Sequence, residues 1–505
     1  MSKCDFVLAI DQGTTSTRTI AFDSEARPRA QAQVPLTQIY PAPGEVEHDP
    51  EEIWQSVLAA ARAVLKDISA PSIEAIGITN QRETTLVWER ASGKPLAKAI
   101  VWQDRRTAKH CDELRQEGWG THVAEATGLI IDPYFSATKL AWLLANVPGL
   151  AERARAGEVC FGTVDSFLLF KLTGGRVHAM DASNAARTML YDIRSGDWDE
   201  LLIDRLGIPR ELLPEVRDSQ GNFGVAAREH FGSAIPIRGI AGDQQAAAYG
   251  QACFAPGMLK ATYGTGCFLL ANTGDAKVAS TARMLATVFH QLEGRRTFAL
   301  EGSIFMAGAT VQWLRDSLGL IAEAAESEVL ARRADPKSGV YLVPAFQGLG
   351  APHWDAEARA AILGLTRAAS AADIVAAGLE AVAFQTRDLL DAMRHDMAQS
   401  GVPASASLRV DGGMTANAWF LQRLADILGE RVEVARHPET TALGAAFLAG
   451  QASGFYGSHD ELQRAWVPAR AFEPAMRDDE RNARYGGWLE AVAKVRSKAD
   501  STCSG

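Results

Sequence analysis

Cysteine is scarce. The 505-residue chain has six, Cys4, Cys111, Cys160, Cys253, Cys267 and Cys503, scattered with no CxxC pair and no metal-ligand spacing. That excludes a disulfide framework or a cysteine-bound zinc, and in so long a chain it points to reduced thiols in a cytoplasmic setting. The ten histidines include no HExxH pair, which argues against a zinc hydrolase. Positive charge is the minority sign, 51 Lys and Arg against 61 Asp and Glu for a net charge of -10. Neither nucleic acid nor an anionic membrane is therefore expected as a partner, and an anionic ligand would need a local basic pocket. No apolar run approaches a membrane span, and the short N-terminal run is cut by Asp11, so neither a signal peptide nor a transit peptide is expected. There is also no Gly-Lys-Ser/Thr phosphate loop. What remains is an ordinary globular composition, 47% hydrophobic and 22% charged, in a chain too long for a single core.

The most informative segment runs from Phe6 to Asp23. Val7 to Ile10 reads as a buried strand and Thr17 to Phe22 as its hairpin partner. Between them Asp11-Gln12-Gly13-Thr14-Thr15-Ser16, with Arg18 beyond, offers backbone N–H groups, hydroxyls and one guanidinium to an anion. Asp11 at the strand end can hold a cation or a metal-bound water beside it. This is equipment for a Mg-nucleotide phosphate tail, although a decorated surface hairpin has the same pattern.

β-type and helical segments alternate through most of the chain. Asp49-Pro50-Glu51-Glu52 predicts an N-cap, a proline at the first helical position and two acids at the positive end of a helix reaching about Lys66. Ile73 to Thr79 and Thr85 to Trp88 read as strands; Thr138 to Leu144, Val164 to Leu172 and Asp199 to Leu206 read as helices. After Ala255-Pro256-Gly257 the opening pattern returns: a strand from Met258 to Thr262, the turn Tyr263-Gly264-Thr265-Gly266, and a strand from Cys267 to Ala271. The two sequences are not alike, so the repeat lies in the pattern alone. It suggests two related α/β domains, 1–254 and 255–496, facing one cleft, with a small, polar tail at 497–505 that is expected to be disordered. The second half adds two glycine-marked helix starts. Gly302-Ser303 precede a helix through Gly308, Gln312 and Trp313, and Asp411-Gly412-Gly413 lead into an apolar-periodic helix from Ala416 to Leu428. Backbone can approach a ligand closely at such glycines. Asn417 either caps its helix or touches a base or ribose.

Phosphoryl transfer needs a phosphate cradle, a metal, an acceptor hydroxyl and a group to take its proton. Asp243, in Gly242-Asp243-Gln244-Gln245 at the start of an Ala-rich helix, is the best candidate base, with a plain N-cap as the alternative. Arg82 and Glu83, in the polar run Thr79 to Thr85, suit vicinal hydroxyls, or form an exposed ion pair. Trp102 can pack on a carbon backbone or be a core residue. Tyr134 can join the site or anchor its loop.

Together these segments spell a family. Asp11 to Ser16, Gly77-Ile-Thr-Asn-Gln-Arg-Glu-Thr84, Gly239 to Gln245, Tyr263 to Phe268 and Asp411 to Gly413 resemble the glycerol kinases, carbohydrate kinases with the actin-like, ribonuclease H-like fold. The resemblance runs from about residue 5 to about residue 490. It implies two such domains, mixed sheets flanked by helices, with the active site in the inter-domain cleft. It also implies phosphorylation of glycerol by ATP with Mg2+, in a homodimer or homotetramer. Arg82, Glu83, Tyr134 and Asp243 would bind glycerol hydroxyls with help from Gln244, and Trp102 and Phe268 would line the carbon side. Asp243 would be the base, and Asp11 and Asp243 the metal's carboxylates. Thr14, Thr15, Ser16, Arg18 and Thr265 would hold phosphates; Gly308, Gln312, Gly413 and Asn417 would form the nucleoside pocket. Kinases of other polyols or ketoses share single motifs, and an ATP-driven conformational protein shares the cleft. One departure concerns regulation. Where some relatives carry a Gly-x-Arg that binds fructose 1,6-bisphosphate, this chain has Gly232-Ser233-Ala234. Weak or absent inhibition by that bisphosphate is therefore expected, and His230 is displaced by a residue from the phosphorylatable histidine of others, so no such switch is assigned to it.

Overall fold

The computed structural model describes residues 4–497. The expected disordered tail, apart from Ser497, and Cys503 lie outside the described residues. Two sheets organise the chain. The first has six strands in the order Val225–Ala226, Ile235–Gly242, Ile73–Asn80, Phe6–Gln12, Ser16–Phe22 and Pro28–Pro35. Its centre is parallel, and the predicted hairpin of Phe6–Gln12 with Ser16–Phe22 forms its antiparallel side. The second has seven: Leu285–Leu292, Arg295–Ile304, Cys267–Gly274, Leu259–Tyr263, Ser407–Asp411, Arg431–Val434 and Arg470–Phe472. Strands before residue 254 build the first, and strands after it build the second.

The run Val7 to Ile10 is apolar at every position because both faces of its strand are covered. Leu8 and Ile10 point to a core shared with Ile53, Val57 and Ala61 of the helix Pro50–Asp67, whose N-cap Asp49 accepts from the Glu51 N–H as its sequence predicts. Val7 and Ala9 point the other way, onto Ala442, Leu443 and Ala446 of the helix Thr440–Ala452. That helix lies late in the chain, yet it packs on strands of the first sheet and on the helix Asp243–Gly250. The two halves are thus fastened by a segment that lies in sequence between the last two strands of the second sheet.

Glycine makes this contact possible. A Cβ on Gly77 would lie 2.1 Å from the Ala445 carbonyl oxygen, and one on Gly444 would lie 1.8 Å from that of Ala246. Both obstacles are backbone and cannot rotate away.

The expected strands and helices are all present, with two corrections. Gly302 and Ser303 belong to the strand Arg295–Ile304, and the helix behind them begins only at Gly308. The segment expected to open a helix at Ala416 is a short 3-10 turn, Gly413–Ala416, with the α-helix Ala418–Leu428 following. The reason is local: Asn417 takes extended backbone angles and its side chain accepts from the Phe420 N–H, resetting the helix start.

Substituting Gly444→Ala is expected to cost about 1–3 kcal/mol by overpacking, seen as a lower thermal midpoint. Gly120→Ala, with open space at its Cβ, should leave the midpoint unchanged. Equal midpoints for the two variants would contradict the close seating of the late helix.

Candidate active site

Three parallel strands of the first sheet end level. Gln12 pairs with Asn80, and Asn80 with Gly242. The turn Gly13–Thr15, the run Gln81-Arg82-Glu83 and Asp243 therefore emerge side by side at their carboxyl ends, where open α/β sheets place ligands. The second sheet repeats the arrangement. Thr262 pairs with Asp411, and beyond them lie the turn Gly264–Gly266 and Gly412-Gly413. Two cross-strand rows of the second sheet, Glu301–Leu270–Lys260–Arg409 and Ser303–Phe268–Thr262–Asp411, share one face. Leu270 in the first row packs into the core that joins the halves, so this face is turned toward the first half.

Arg82 and Glu83 are not an exposed pair; both side chains are 2% exposed. A guanidinium out of water needs carboxylates around it. Arg82 is held bidentately by Glu301, Nη1 to Oε2 at 2.6 Å and Nη2 to Oε1 at 3.1 Å. Its Nε lies 3.0 Å from Oδ1 of Asp243. Glu83, in the left-handed region at φ 56°, takes Arg187 Nε on Oε1 at 2.6 Å. Burial raises the Glu83 carboxyl against the pull of Arg187 and Arg82. The two arginines hold Glu301 down to about 2 although burial opposes them.

Asp243 is the first residue of its helix, not its cap: Gly242 occupies that position without a side-chain bond. Asp243 keeps a third of its side chain exposed, and Oδ1 also takes the Gln244 N–H at 2.7 Å. One oxygen is thus fixed by Arg82 and the helix, which leaves Oδ2 to face a ligand. Gln244 accepts from the buried Lys260 ammonium at 2.5 Å. Trp102 is half-buried rather than a core residue; its indole N–H donates to Thr14 Oγ1 at 2.9 Å, and its ring meets Tyr134 edge-on at 5.6 Å. Burial, with Glu83 adding, raises the Tyr134 phenol. The Tyr134 carbonyl is anchored by Lys139 Nζ at 2.6 Å.

Asp11 pairs across the hairpin with Arg18. Burial pushes its carboxyl up to about 7 against the pull of Arg18, with Asp243 adding to the rise. Arg18 is not free for an anion: it is ion-paired with Glu439, at the start of the late helix, and bonded to Gln33. Ser16 Oγ accepts from Gln33, whereas Thr15 is exposed.

On the other side, Thr265 is exposed in its turn. The Thr265 carbonyl accepts the Ala307 and Ala309 N–H groups, and the Gly264 carbonyl accepts that of Gly308 at 3.0 Å. The turn is thereby docked on the start of the helix Gly308–Asp316, from which Gln312 projects exposed. A Cβ on Gly413 would meet nothing within 4 Å, so its backbone borders open space. Asn417 caps its helix, and its amide nitrogen donates to Ser327 at 3.2 Å; the capping alternative is the one the structure realises. Arg82, Glu83, Asp243, Gln244 and Lys260 thus form one connected cluster, which reaches Tyr134 through Arg187 and then Trp102 and Thr14. Ser16 and Arg18 are held instead by Gln33 and Glu439, Asp411 is tied to Gln251 and Thr440, and Gln312 and Asn417 stand apart from the cluster.

Sequence reasoning missed Arg187, Glu301 and Lys260. Glu301 and Lys260 carried a signal: each is a charge inside an apolar β-type run, Phe298-Ala-Leu-Glu301 and Met258-Leu-Lys260-Ala, where a buried charge needs a partner. Arg187 carried none.

The chain is similar to known proteins along nearly its whole length. The sequence profile of the FGGY family of carbohydrate kinases, N-terminal domain, matches residues 6–250, and that of its C-terminal domain matches residues 259–453. The chain belongs to the FGGY family of carbohydrate kinases. Among its relatives, a glycerol kinase of Alteromonas mediterranea is 56% identical over 97% of this chain and 99% of its own length. Glycerol kinase 1 of Pseudomonas aeruginosa is 56% identical over 98% and 99%. Among solved structures, Plasmodium falciparum glycerol kinase with ADP superposes with a TM-score of 0.92 at 37% identity, covering 98% of each chain. A gluconate kinase from Lactobacillus acidophilus, at 20% identity and a TM-score of 0.86 over 97% of each chain, shares the fold. The expected α/β fold of two actin-like halves is the fold of this FGGY kinase family.

A Cβ on Gly308 would lie 2.6 Å from the Gly264 carbonyl oxygen. Gly308→Ala is therefore expected to undock the turn, and hydrogen exchange at the amides of residues 307–309 should speed up by about tenfold or more. Exchange in Phe6–Gln12 should not change. Unaltered protection at 307–309 would show that the docking does not depend on this glycine.

Proposed function

We propose that this chain transfers the γ-phosphoryl group of ATP to glycerol, giving sn-glycerol 3-phosphate and ADP. One observation carries the reading: Arg82, Glu83 and Asp243 converge at level strand ends in a chain 56% identical, nearly end to end, to proteins named glycerol kinase.

In this reading Arg82, Glu83, Tyr134 and Asp243 bind the glycerol hydroxyls, Gln244 assists, and Trp102 and Phe268 cover the carbon side. An acceptor lacking a hydroxyl would leave buried polar groups unpaired, which discriminates more sharply than an apolar pocket does. Asp243 takes the proton of the attacking hydroxyl. The oxygen of that glycerol hydroxyl then bonds to the γ-phosphorus as the bond to ADP breaks. Thr14, Thr15 and Ser16 hold phosphates from one side and Thr265 from the other; for Arg18 to join them, phosphate must compete with Glu439. Gly308, Gln312, Gly413 and Asn417 form the nucleoside side, Asn417 through the residues around its cap. The proposed division at residue 254, with glycerol and phosphate sites before it and the adenine nucleotide site after it, is supported by the separate make-up of the two sheets.

Mg2+ fits Asp11 and Asp243. Asp11 stands one residue before the strand end at Gln12 and Asp243 one residue after the level strand end at Gly242, and the Asp11 carboxyl is pushed up to about 7 by burial, with Asp243 adding to the rise. Among the described residues no group of three or more His, Cys, Asp or Glu could hold a metal. A cation here would therefore rest on one or two carboxylates together with phosphates and water, the manner of Mg2+. When bound it would neutralise charge on the transferring phosphate. A cytoplasmic homodimer or homotetramer completes the proposal. The described cysteines are free thiols, and among the described residues no helix is long and apolar enough to cross a membrane.

The test is ADP release with a panel of acceptors. Glycerol should be the best substrate. Faster turnover of a pentulose would point to a ketose kinase, and ATP hydrolysis indifferent to every acceptor would point to a conformational ATPase. Asp243→Asn, which keeps an oxygen for Arg82, should lower kcat by about 10²–10⁴-fold while ADP binding is retained. Near-parental kcat would remove Asp243 from the base role.

A further inference from the structure

Two buried charges without a role in this mechanism, Arg187 and Glu301, close a ring with Arg82 and Glu83. The ring alternates in sign. Arg82 meets Glu301 at 2.6 Å, Glu301 meets Arg187 at 3.1 Å, Arg187 meets Glu83 at 2.6 Å, and Glu83 meets Arg82 Nε at 3.9 Å. None of the four side chains is more than 2% exposed. Two cations and two anions balance, which is what permits so much charge in one dry place.

Three members come from the first half, and Glu301 alone comes from the second sheet. The strand pair that carries it is seated on the first half by backbone bonds, the Ala286 N–H to the Gly128 carbonyl at 2.9 Å and the Ser219 N–H to the Gln291 carbonyl at 2.8 Å. The ring also reaches Tyr134: the Arg187 guanidinium lies over the rings of Tyr134, at 5.5 Å, and Phe135, at 5.3 Å.

Resting on the reading of Arg82, Glu83 and Tyr134 as acceptor-binding groups, we propose that Glu301 is a positioning residue for the acceptor site. It touches no substrate. It fixes the Arg82 guanidinium by a two-point bond, so that Nε stays on Asp243, and through Arg187 it fixes the carboxylate of Glu83 and the ring of Tyr134. A two-point carboxylate–guanidinium bond sets an angle as well as a distance, and an acceptor site that distinguishes adjacent hydroxyls depends on angles. Because Glu301 belongs to the second sheet, the acceptor site of the first half is complete only while that sheet is seated against it.

The experiment uses the full chain, with Glu301→Gln, which removes the charge, and Glu301→Asp, which keeps the charge and shortens the reach. Parental activity on glycerol is measured first; its absence would sink the functional reading, not the ring. The expected result is a KM for glycerol raised by about tenfold or more in Glu301→Gln, with a smaller rise in Glu301→Asp and a KM for ATP within about twofold of the parent. The ratio of kcat/KM for glycerol over propane-1,3-diol, which lacks the middle hydroxyl, should fall by about tenfold in Glu301→Gln. Lower thermal stability with KM values and acceptor ratio unchanged would overturn the proposal. So would an equal rise in both KM values, or failure of both variants to fold, since each describes a purely structural ion network.

Discussion

The burial of the Arg82 guanidinium is the constraint on which the rest of this structure depends. No strand end in the first half supplies enough negative charge to meet it. Asp243 gives one oxygen at 3.0 Å, and Glu83 stands at 3.9 Å, taken up by Arg187. The balance comes from Glu301 on the other sheet. The two halves must therefore lie against each other for the charged cluster around Arg82 to exist in this form. What holds them there is the helix Thr440–Ala452, which reaches back over the first sheet and comes close enough only because Gly77 and Gly444 have no side chains. Glycine spacing, helix seating and ion pairing are links of one chain of cause.

The same economy governs the two hydroxyl-rich turns. Each follows a strand that ends level with a parallel neighbour, so each puts backbone and hydroxyls at a carboxyl edge. They differ in support. The first turn is braced by side chains, with Trp102 on Thr14, Gln33 on Ser16 and Glu439 on Arg18. The second is braced by backbone, with three N–H groups from the start of the helix Gly308–Asp316 on the carbonyls of Gly264 and Thr265. A turn held through its carbonyls keeps its own N–H and hydroxyl groups available to an anion, which suits the phosphate role proposed for Thr265.

Local signals were legible wherever one segment contains its own explanation. The cap at Asp49, the strand–turn–strand units at Phe6–Phe22 and Leu259–Gly274, and the strand-to-helix junction at Asp243 follow from residue types read in order. Where two local readings competed, the sequence held no deciding information. Arg82-Glu83 reads as a solvated pair unless Glu301 and Arg187 are known to stand beside it, 219 and 104 residues away. Arg18 reads as a phosphate ligand unless Glu439, 421 residues on, is seen to hold it. Asn417 went the other way, because its cap partner is only three residues distant and the ordinary local role prevailed.

By itself, then, the sequence determined the elements, the two-sheet plan and the chemical inventory of the cleft, since hydrophobic period, caps and turns act over a few residues. Only the tertiary structure decided which charges meet. Coulombic partners are chosen by distance in space, and a carboxylate such as Glu301, solitary inside an apolar strand, states in sequence that it needs a cation without naming which one. The fold names two, Arg82 and Arg187, because the register of the second sheet turns Glu301 toward the first.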